Sequence, residues 1–196
     1  MKKFYIATLL LFLTFSACGC TNKPAVQELN KKAQEYMSKG QTEEAISRLE
    51  ASIDLDNTIF ETYYNLAVAY IKAGKSDKAE EALKRVFELN PDFADAYYSM
   101  AVVYEDKAYA VINGENGENE ENRTVVEADD NGVSVKKELS ESDKEEICND
   151  FNTAIDNYNK YLIKKQDASD RDKVNEKINS LNEELQKYGK EPVGEN

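Results

Sequence analysis

Residues 60–93, with the sequence FETYYNLAVAYIKAGKSDKAEEALKRVFELNPDF, decide the fold of this chain. Apolar residues recur at intervals of three and four in both halves of the stretch, which predicts two amphipathic helices. The first helix should end at Ala73-Gly74, and the second should begin after Ser76, a favourable N-cap residue, and end at Asn90-Pro91. The facing residues are Tyr63, Leu66, Ala67 and Tyr70 in the first helix and Ala79, Ala82, Leu83, Val86 and Phe87 in the second.

One helix pair cannot bury its apolar faces alone, and the pattern recurs with a period of 34 residues. The recurring slots are large, small, aromatic and glycine in the first helix, and small or apolar in the second. The aligned sets are Leu29, Tyr63 and Tyr97; Ala33, Ala67 and Ala101; Tyr36, Tyr70 and Tyr104; Gly40, Gly74 and Ala108; Ala45 and Ala79; Leu49 and Leu83; Ile53 and Phe87; Leu55 and Leu89; and Asn57 and Pro91.

This period and these residue types resemble the tetratricopeptide (TPR) repeat family over about residues 26–104. The resemblance implies an all-α solenoid of antiparallel helix pairs, with about three repeats and a C-terminal capping helix. Two further helix starts are predicted from capping residues, at Thr42 and at a capping box formed by Ser142 and Glu145. The predicted boundaries are 25–59, 60–93 and 94–165 for the repeats, 113–141 for an acidic insertion in the third, and 170–188 for the cap.

The first 20 residues, MKKFYIATLLLFLTFSACGC, are predicted to be a targeting segment. Two lysines precede an apolar run over residues 4–15, which is too short to span a bilayer comfortably. The following Ser16-Ala17-Cys18 resembles a bacterial lipoprotein signal, which implies cleavage after residue 17, lipidation of Cys18 with acyl chains such as palmitate, and a tether over 18–24. Lipidation of Cys20 and an ordinary cleaved signal peptide are the alternatives.

Composition argues against several classes of function. The net charge is −13, so binding to nucleic acid, which needs clustered Lys and Arg, is not expected. The chain has no histidine, which removes the commonest general base and the commonest zinc ligand. No glycine-rich phosphate loop or nucleophile with a placed base is present either. The sequence therefore predicts a protein without enzymatic activity and without a cofactor.

The acidic insertion contains a weak candidate for a metal site. Glu127, Asp129, Asn131 and Glu138 fall at the spacing of a calcium-binding EF-hand loop, although several positions depart from that pattern. The alternation of Val and Thr residues around Asn131-Gly132 favours a solvated β-hairpin instead. No metal site is therefore expected, and calcium-responsive binding through residues 127–138 is kept as an alternative.

The resemblance implies that the first helix of each repeat lines a concave groove. The residues expected there are Gln27, Asn30, Lys31, Gln34, Glu61, Tyr64, Asn65, Val68, Asp95, Tyr98, Ser99 and Val102. Glu61, Asp95 and Ser99 occupy places where relatives that grip a peptide carboxylate carry basic or neutral residues, so such a clamp is not expected. Tyr64 and Tyr98 either contact a ligand or only fill space between repeats.

The function predicted from the sequence is a scaffold, anchored by its N-terminal lipid to the outer face of a bacterial membrane, that binds a protein or peptide partner of the cell envelope. The alternative is a permanent structural subunit of an envelope assembly. A rich exposed tyrosine groove favours the first function, and an apolar patch on the convex side would favour the second.

Overall fold

A computed structural model describes residues 23–114 and 139–188, which form helices and no strand. The prediction of an all-α repeat fold is confirmed. The targeting segment, Cys18, Cys20 and the candidate calcium ligands Glu127, Asp129, Asn131 and Glu138 lie outside the described residues. The helices are α1 (Lys23–Ser38), α2 (Thr42–Leu55), α3 (Phe60–Lys72), α4 (Ser76–Leu89), α5 (Ala94–Asn113), α6 (Glu141–Lys164) and α7 (Arg171–Lys187).

The helices form two layers. Each helix packs against the next one in the chain, and α3 also contacts α5. The odd-numbered helices α1, α3 and α5 therefore lie side by side, with α2, α4 and α6 behind them. The first-helix positions of all three repeats consequently share one face of the solenoid.

The turns inside the first two repeats have the same geometry. Gly40 and Gly74 adopt φ values of +74° and +68°, a conformation that glycine enters without a Cβ penalty. The amide of the following residue, Gln41 or Lys75, donates back across the turn to the carbonyl of Tyr36 or Tyr70, at 2.9 Å in both cases. These turns end α1 and α3 at the predicted glycines.

The side-chain caps predicted at Thr42 and Ser76 are wrong by one residue. The carbonyls of Gln41 and Lys75 already accept from the amides of Ala45 and Ala79, at 3.2 and 3.0 Å. The N-cap residues are therefore Gln41 and Lys75, and neither side chain caps its helix. Only one residue lies between the turn glycine and the next helix, so that residue is the N-cap and the following Thr or Ser is already the first residue of the helix.

The capping box predicted at Ser142 and Glu145 is wrong by two residues. The amide of Asp143 donates to the Ser140 hydroxyl at 3.1 Å, and the amide of Ser140 donates to the Asp143 carboxylate at 3.0 Å. Ser140 has extended backbone angles, as an N-cap requires, whereas Ser142 lies in the first turn of α6. Asp143 is thus the N3 residue of the capping box, the position that was predicted for Glu145.

Two clusters of apolar side chains form the core. The first joins α1 to α5 and contains most of the predicted facing residues, including Leu66, Ala67 and Leu83. Ala67 and Ala79 are fully buried, which permits the close approach of α3 and α4. Tyr63 and Phe87 are half-buried at the edge of this cluster.

The third helix pair is longer than the others. Helices α5 and α6 contain 20 and 24 residues, whereas α3 and α4 contain 13 and 14. The additional turns bury Val111, Ile147, Cys148 and Phe151 in the second cluster. Helix α7 packs on α6 and completes this cluster with its own apolar face of Val174, Leu181 and Leu185.

Candidate functional site

A pocket of about 200 Å³ opens between α1 and α3, with α2 behind it. Its floor contains the buried residues Ala33 and Leu49, and its walls contain the half-buried Met37 and Val68. The remaining lining residues are Gln34, Asn65 and Lys72. The structure thus brings three predicted groove residues, Gln34, Asn65 and Val68, to one cavity on the concave face.

The polar rim of this pocket has unused hydrogen-bonding capacity. The side-chain amides of Gln34 and Asn65 have no hydrogen-bond partner among the described residues. Gln34 is exposed, and Asn65 is half-buried. An amide carries two donor hydrogens and one acceptor oxygen, which match the carbonyl and amide groups of a peptide backbone. The pocket can therefore hold an apolar side chain while its rim binds the adjoining backbone.

Tyr64 lies between the second and third repeats. The edge of its ring meets Phe93 with centroids 4.8 Å apart, and Phe93 also contacts Phe60 at 5.0 Å. Burial raises the pKa of the Tyr64 hydroxyl, while its hydrogen bond with Ser99 lowers that pKa and the charge of Asp95 raises it further. Ser99 is itself only 6% exposed. Tyr64 fills space between repeats and keeps part of its ring at the surface.

Tyr98 belongs to the packing of α5 against α6. Its ring lies 5.4 Å from each of Tyr158 and Tyr161, in edge-to-face orientation. Both partners are fixed by their hydroxyl groups, since Tyr158 donates to Glu105 and Tyr161 donates to Asp170. Tyr98 is half-buried. For both predicted groove tyrosines, packing between helices is therefore observed, and ligand contact stays a prediction.

Asn30 is directed into the fold. Its side-chain nitrogen lies 3.0 Å from the carbonyl of Val26, 2.9 Å from the hydroxyl of Ser52 and 3.0 Å from the hydroxyl of Thr62. Ser52 and Thr62 are fully buried, so this amide joins α1, α2 and α3. The structural role was missed in the sequence analysis. The sequence feature that could have indicated this role of Asn30 is the pair of hydroxyl residues, Ser52 and Thr62, on the buried faces of α2 and α3.

The remaining predicted groove residues lie outside the pocket. Gln27 is exposed on α1, and Val102 is half-buried on α5. Asp95 forms an ion pair with Lys165, the C-cap residue of α6, at 2.8 Å, so its charge is already compensated. These residues border the concave face without converging on one cavity.

Lys72 also lines the pocket, although it was not among the predicted groove residues. This exposed lysine stands one helical turn beyond Val68, at the end of α3, and its side chain lines the pocket. Among the described residues it forms no ion pair. The i, i+4 spacing from Val68 could have placed it on the same face.

The described part of the chain offers no alternative site of another kind. Residues 23–114 and 139–188 contain no group of three or more Cys, Asp or Glu side chains arranged to hold a metal ion. None of the helices in these ranges has the length and hydrophobicity needed to cross a bilayer.

Comparisons with known proteins agree with the observed fold. Residues 36–103 match the family model described as tetratricopeptide repeat. No curated protein matches the sequence. The first TPR domain of Spaghetti (RPAP3), solved bound to the HSP90 peptide SRMEEVD, is 15% identical with a TM-score of 0.57, and the alignment covers 82% of this chain and 93% of that chain.

A second solved structure gives the same result. The Sgt2 TPR domain from Aspergillus fumigatus is 14% identical with a TM-score of 0.59, and the alignment covers 88% of each chain. At these identities the likeness establishes the fold. Residues 36–103 thus match the tetratricopeptide repeat family model, and the 34-residue period and the stacked helix pairs agree with that match.

Proposed function

We propose that this chain is a non-enzymatic scaffold, anchored to a bacterial membrane by a lipid on Cys18, that binds an extended segment of another envelope protein in its concave face. The observation that carries the binding proposal is the pocket between α1 and α3. It combines an apolar floor with two amides, on Gln34 and Asn65, that have no partner within the described residues. An apolar floor bordered by amides that are free to hydrogen bond matches the side chain and the backbone of an extended peptide segment.

The repeat fold supports binding as a class of function. TPR domains are generally scaffolds for proteins or peptides, and the solved Spaghetti (RPAP3) domain holds a peptide. Extended peptides are commonly recognised by backbone hydrogen bonds together with side-chain pockets. The absence of histidine from the whole sequence supports the non-enzymatic part of the proposal.

Support for the anchor comes from the sequence of residues 1–20. A positive start, a short apolar run and Ser16-Ala17-Cys18 form the order expected of a lipoprotein signal. Two or more acyl chains hold a protein stably on a membrane, so the acidic chain needs no electrostatic attraction to lipid head groups.

The exposed apolar side chains do not favour a permanent structural subunit. Among the described residues, the exposed large apolar side chains are Leu55 on α2 and Ile163 on α6. These residues belong to different repeats, so they do not build the contiguous convex patch that a permanent interface needs.

The binding proposal can be tested by photocrosslinking in cells. A photoreactive amino acid is placed at Gln34 or Val68 in the pocket, and at the exposed Ile163 of α6 as the matched control. We expect the pocket positions, and not the control, to crosslink to the same protein, identified by mass spectrometry. Crosslinks from Gln34 and Val68 only within the chain itself would overturn the proposal.

The anchor needs a separate measurement. Cells are fed an alkyne-labelled fatty acid, and the chain is compared with its Cys18→Ser and Cys20→Ser variants. We expect label on the wild type and on Cys20→Ser, and loss of label on Cys18→Ser. Label that is lost only from Cys20→Ser would move the anchor to that residue, and an unlabelled, soluble wild-type chain would refute it.

A further inference from the structure

The concave face carries opposite charges at two equivalent positions of neighbouring repeats. Lys72 in α3 and Asp106 in α5 are separated by one 34-residue period, and both are exposed. The equivalent residue of the first repeat is the neutral Ser38. At this repeat position the charge therefore changes from neutral to positive to negative along the array.

Neither charge is neutralised within the described part of the chain. Other lysines are committed to carboxylates: Lys165 pairs with Asp95 at 2.8 Å, and Lys177 pairs with Glu105 at 2.9 Å. Lys72 and Asp106 form no ion pair among residues 23–114 and 139–188. Burial and the neighbouring Glu105 raise the pKa of Asp106, while Lys177 lowers it, so Asp106 lacks a close cation that would fully stabilise its charged form.

The lysine stands beside the apolar part of the pocket. Lys72 lines the same cavity as Val68 and the floor residues Ala33 and Leu49. The acidic residue of α3, Glu61, is 11 positions before Lys72, which places it about 16 Å away along the helix axis. An apolar side chain in the pocket would therefore have the α3 cation Lys72, and no α3 anion, next to it.

Helix spacing sets the distance between the two charges. Packed neighbouring helices such as α3 and α5 have axes about 8–10 Å apart. An extended peptide advances about 3.3 Å per residue, so it crosses from one helix to the next in about three residues.

We infer that the concave face recognises an extended peptide segment with an aliphatic side chain that fills the pocket. The next residue of the segment is acidic and pairs with Lys72, and a basic residue about three positions from the acidic one pairs with Asp106. The inference rests on the proposed function and specifies the chemistry of its ligand. The amides of Gln34 and Asn65 hold the backbone next to the aliphatic side chain, and the charge pattern fixes the direction in which the segment lies across the repeats.

Fluorescence anisotropy with labelled peptides tests this pattern on the full-length chain in detergent. The matched peptide is Ser-Ala-Leu-Asp-Ala-Ala-Lys-Ala-Ser, and the swapped peptide exchanges its Asp and Lys. Both are also made in reverse order, because the direction of the backbone is not assumed. We expect one matched peptide to bind about fivefold more tightly than its swapped form at low salt, an advantage that decreases at high salt.

Charge-reversal variants assign the preference to the two residues. In the double variant Lys72→Glu/Asp106→Lys the swapped peptide should become the tighter ligand. Lys160→Glu, which makes the same charge change as Lys72→Glu at an exposed position of α6, should leave the preference unchanged. If the double variant is unfolded by circular dichroism, the neutral single variants Lys72→Gln and Asp106→Asn replace it, and each should reduce the preference by about half on a logarithmic scale.

Two results would overturn the inference. One is equal binding of matched and swapped peptides in both orders, including the case in which none binds. The other is a preference that survives Lys72→Gln and Asp106→Asn. The proposed function is judged separately, because crosslinking from Gln34 and Val68 reports a partner whatever its charge pattern.

Discussion

The hydroxyl of Tyr104 in α5 donates a hydrogen bond to the carboxylate of Glu80 in α4 at 3.0 Å. Lys84 and Lys107 form ion pairs with the same carboxylate, so Glu80 links the second repeat to the third. Burial by itself would raise the pKa of Glu80, but the hydrogen bonds from Lys107, Lys84 and Tyr104 outweigh it and lower the pKa to about 2. The charged carboxylate is therefore a structural part of the interface between repeats.

Replacing Glu80 with Gln should lower the free energy of unfolding at pH 7 by about 2 kcal/mol, because three donors lose a charged acceptor. The folded pKa lies below the ordinary value of 4.5, so the stabilisation is fully present above pH 4.5 and is lost as the pH falls through about 2. Urea unfolding followed by circular dichroism should show a smaller difference between wild type and variant at pH 3 than at pH 7. The exposed neighbour Glu81→Gln is the control, and equal stabilities at pH 7 for wild type and Glu80→Gln would contradict this assignment.

Asp150 in α6 should show the opposite pH dependence. Burial raises its pKa to about 6, with Lys107 opposing the shift and Glu146 and Glu80 adding to it. The neutral acid thus stabilises the fold fully below pH 3.8, and this contribution is lost as the pH rises through about 6.

Asp150→Asn should consequently raise the free energy of unfolding at pH 7 by about 1 kcal/mol, after allowance for the partial exposure of the carboxyl group. The gain should disappear below about pH 4. Thermal unfolding of wild type and variant at pH 7 and below about pH 4 measures this gain in stability. Asp156→Asn, at an exposed position of the same helix, is the control. A stabilisation that persists unchanged at low pH would show that charge burial is not its cause.

Gly74 tests the turn geometry. A Cβ added there would meet no atom within 4 Å, so the effect of Gly74→Ala comes from its φ of +68° alone. We expect a loss of about 1–2 kcal/mol in the free energy of unfolding. Gly74→Asn should be less harmful, because asparagine tolerates the left-handed conformation better than alanine does. Urea denaturation of both variants measures the two losses. An alanine variant at least as stable as the asparagine variant would argue against the left-handed conformation of Gly74 as the cause.

Asn30 tests the hydrogen bonds that join the first three helices. Asn30→Ala should lower the free energy of unfolding by about 1–3 kcal/mol, because the buried hydroxyls of Ser52 and Thr62 lose a partner. Adding Ser52→Ala and Thr62→Val to that variant should recover part of the loss, since no buried polar group is then left unpaired. Chemical denaturation gives both numbers. If the triple variant loses more free energy of unfolding than the three single variants lose together, the hydroxyls of Ser52 and Thr62 have other partners.

Much of the fold could be predicted from sequence because the repeat is a local pattern. The spacing of Tyr63, Ala67 and Tyr70, closed by Gly74, specifies a helix, its packing face and its end without reference to distant residues. The starts of the helices were less predictable. Thr42 and Ser76 are favourable capping residues, but the preceding glycine turn is so short that each is already the first residue of its helix.

The candidate site could be predicted only in part, because alignment with repeat positions gives the face of a residue and not its contacts. Gln34, Asn65 and Val68 do meet at one pocket. Asn30 occupies an equally favourable position in the repeat, yet its amide turns toward two buried hydroxyls on neighbouring helices. Only the three-dimensional arrangement of α1, α2 and α3 distinguishes these cases.

The long third hairpin determines where the segment between α5 and α6 is attached. Helices α5 and α6 extend past the shorter pairs and carry apolar contacts of their own, such as Tyr109 against Phe151 with centroids 5.4 Å apart. The segment that joins them leaves from the tips of these helices, at Gly114 and Leu139, rather than beside Val68 and Lys72. A change in the length of that segment should therefore carry a small entropic cost and leave the pocket between α1 and α3 unaltered.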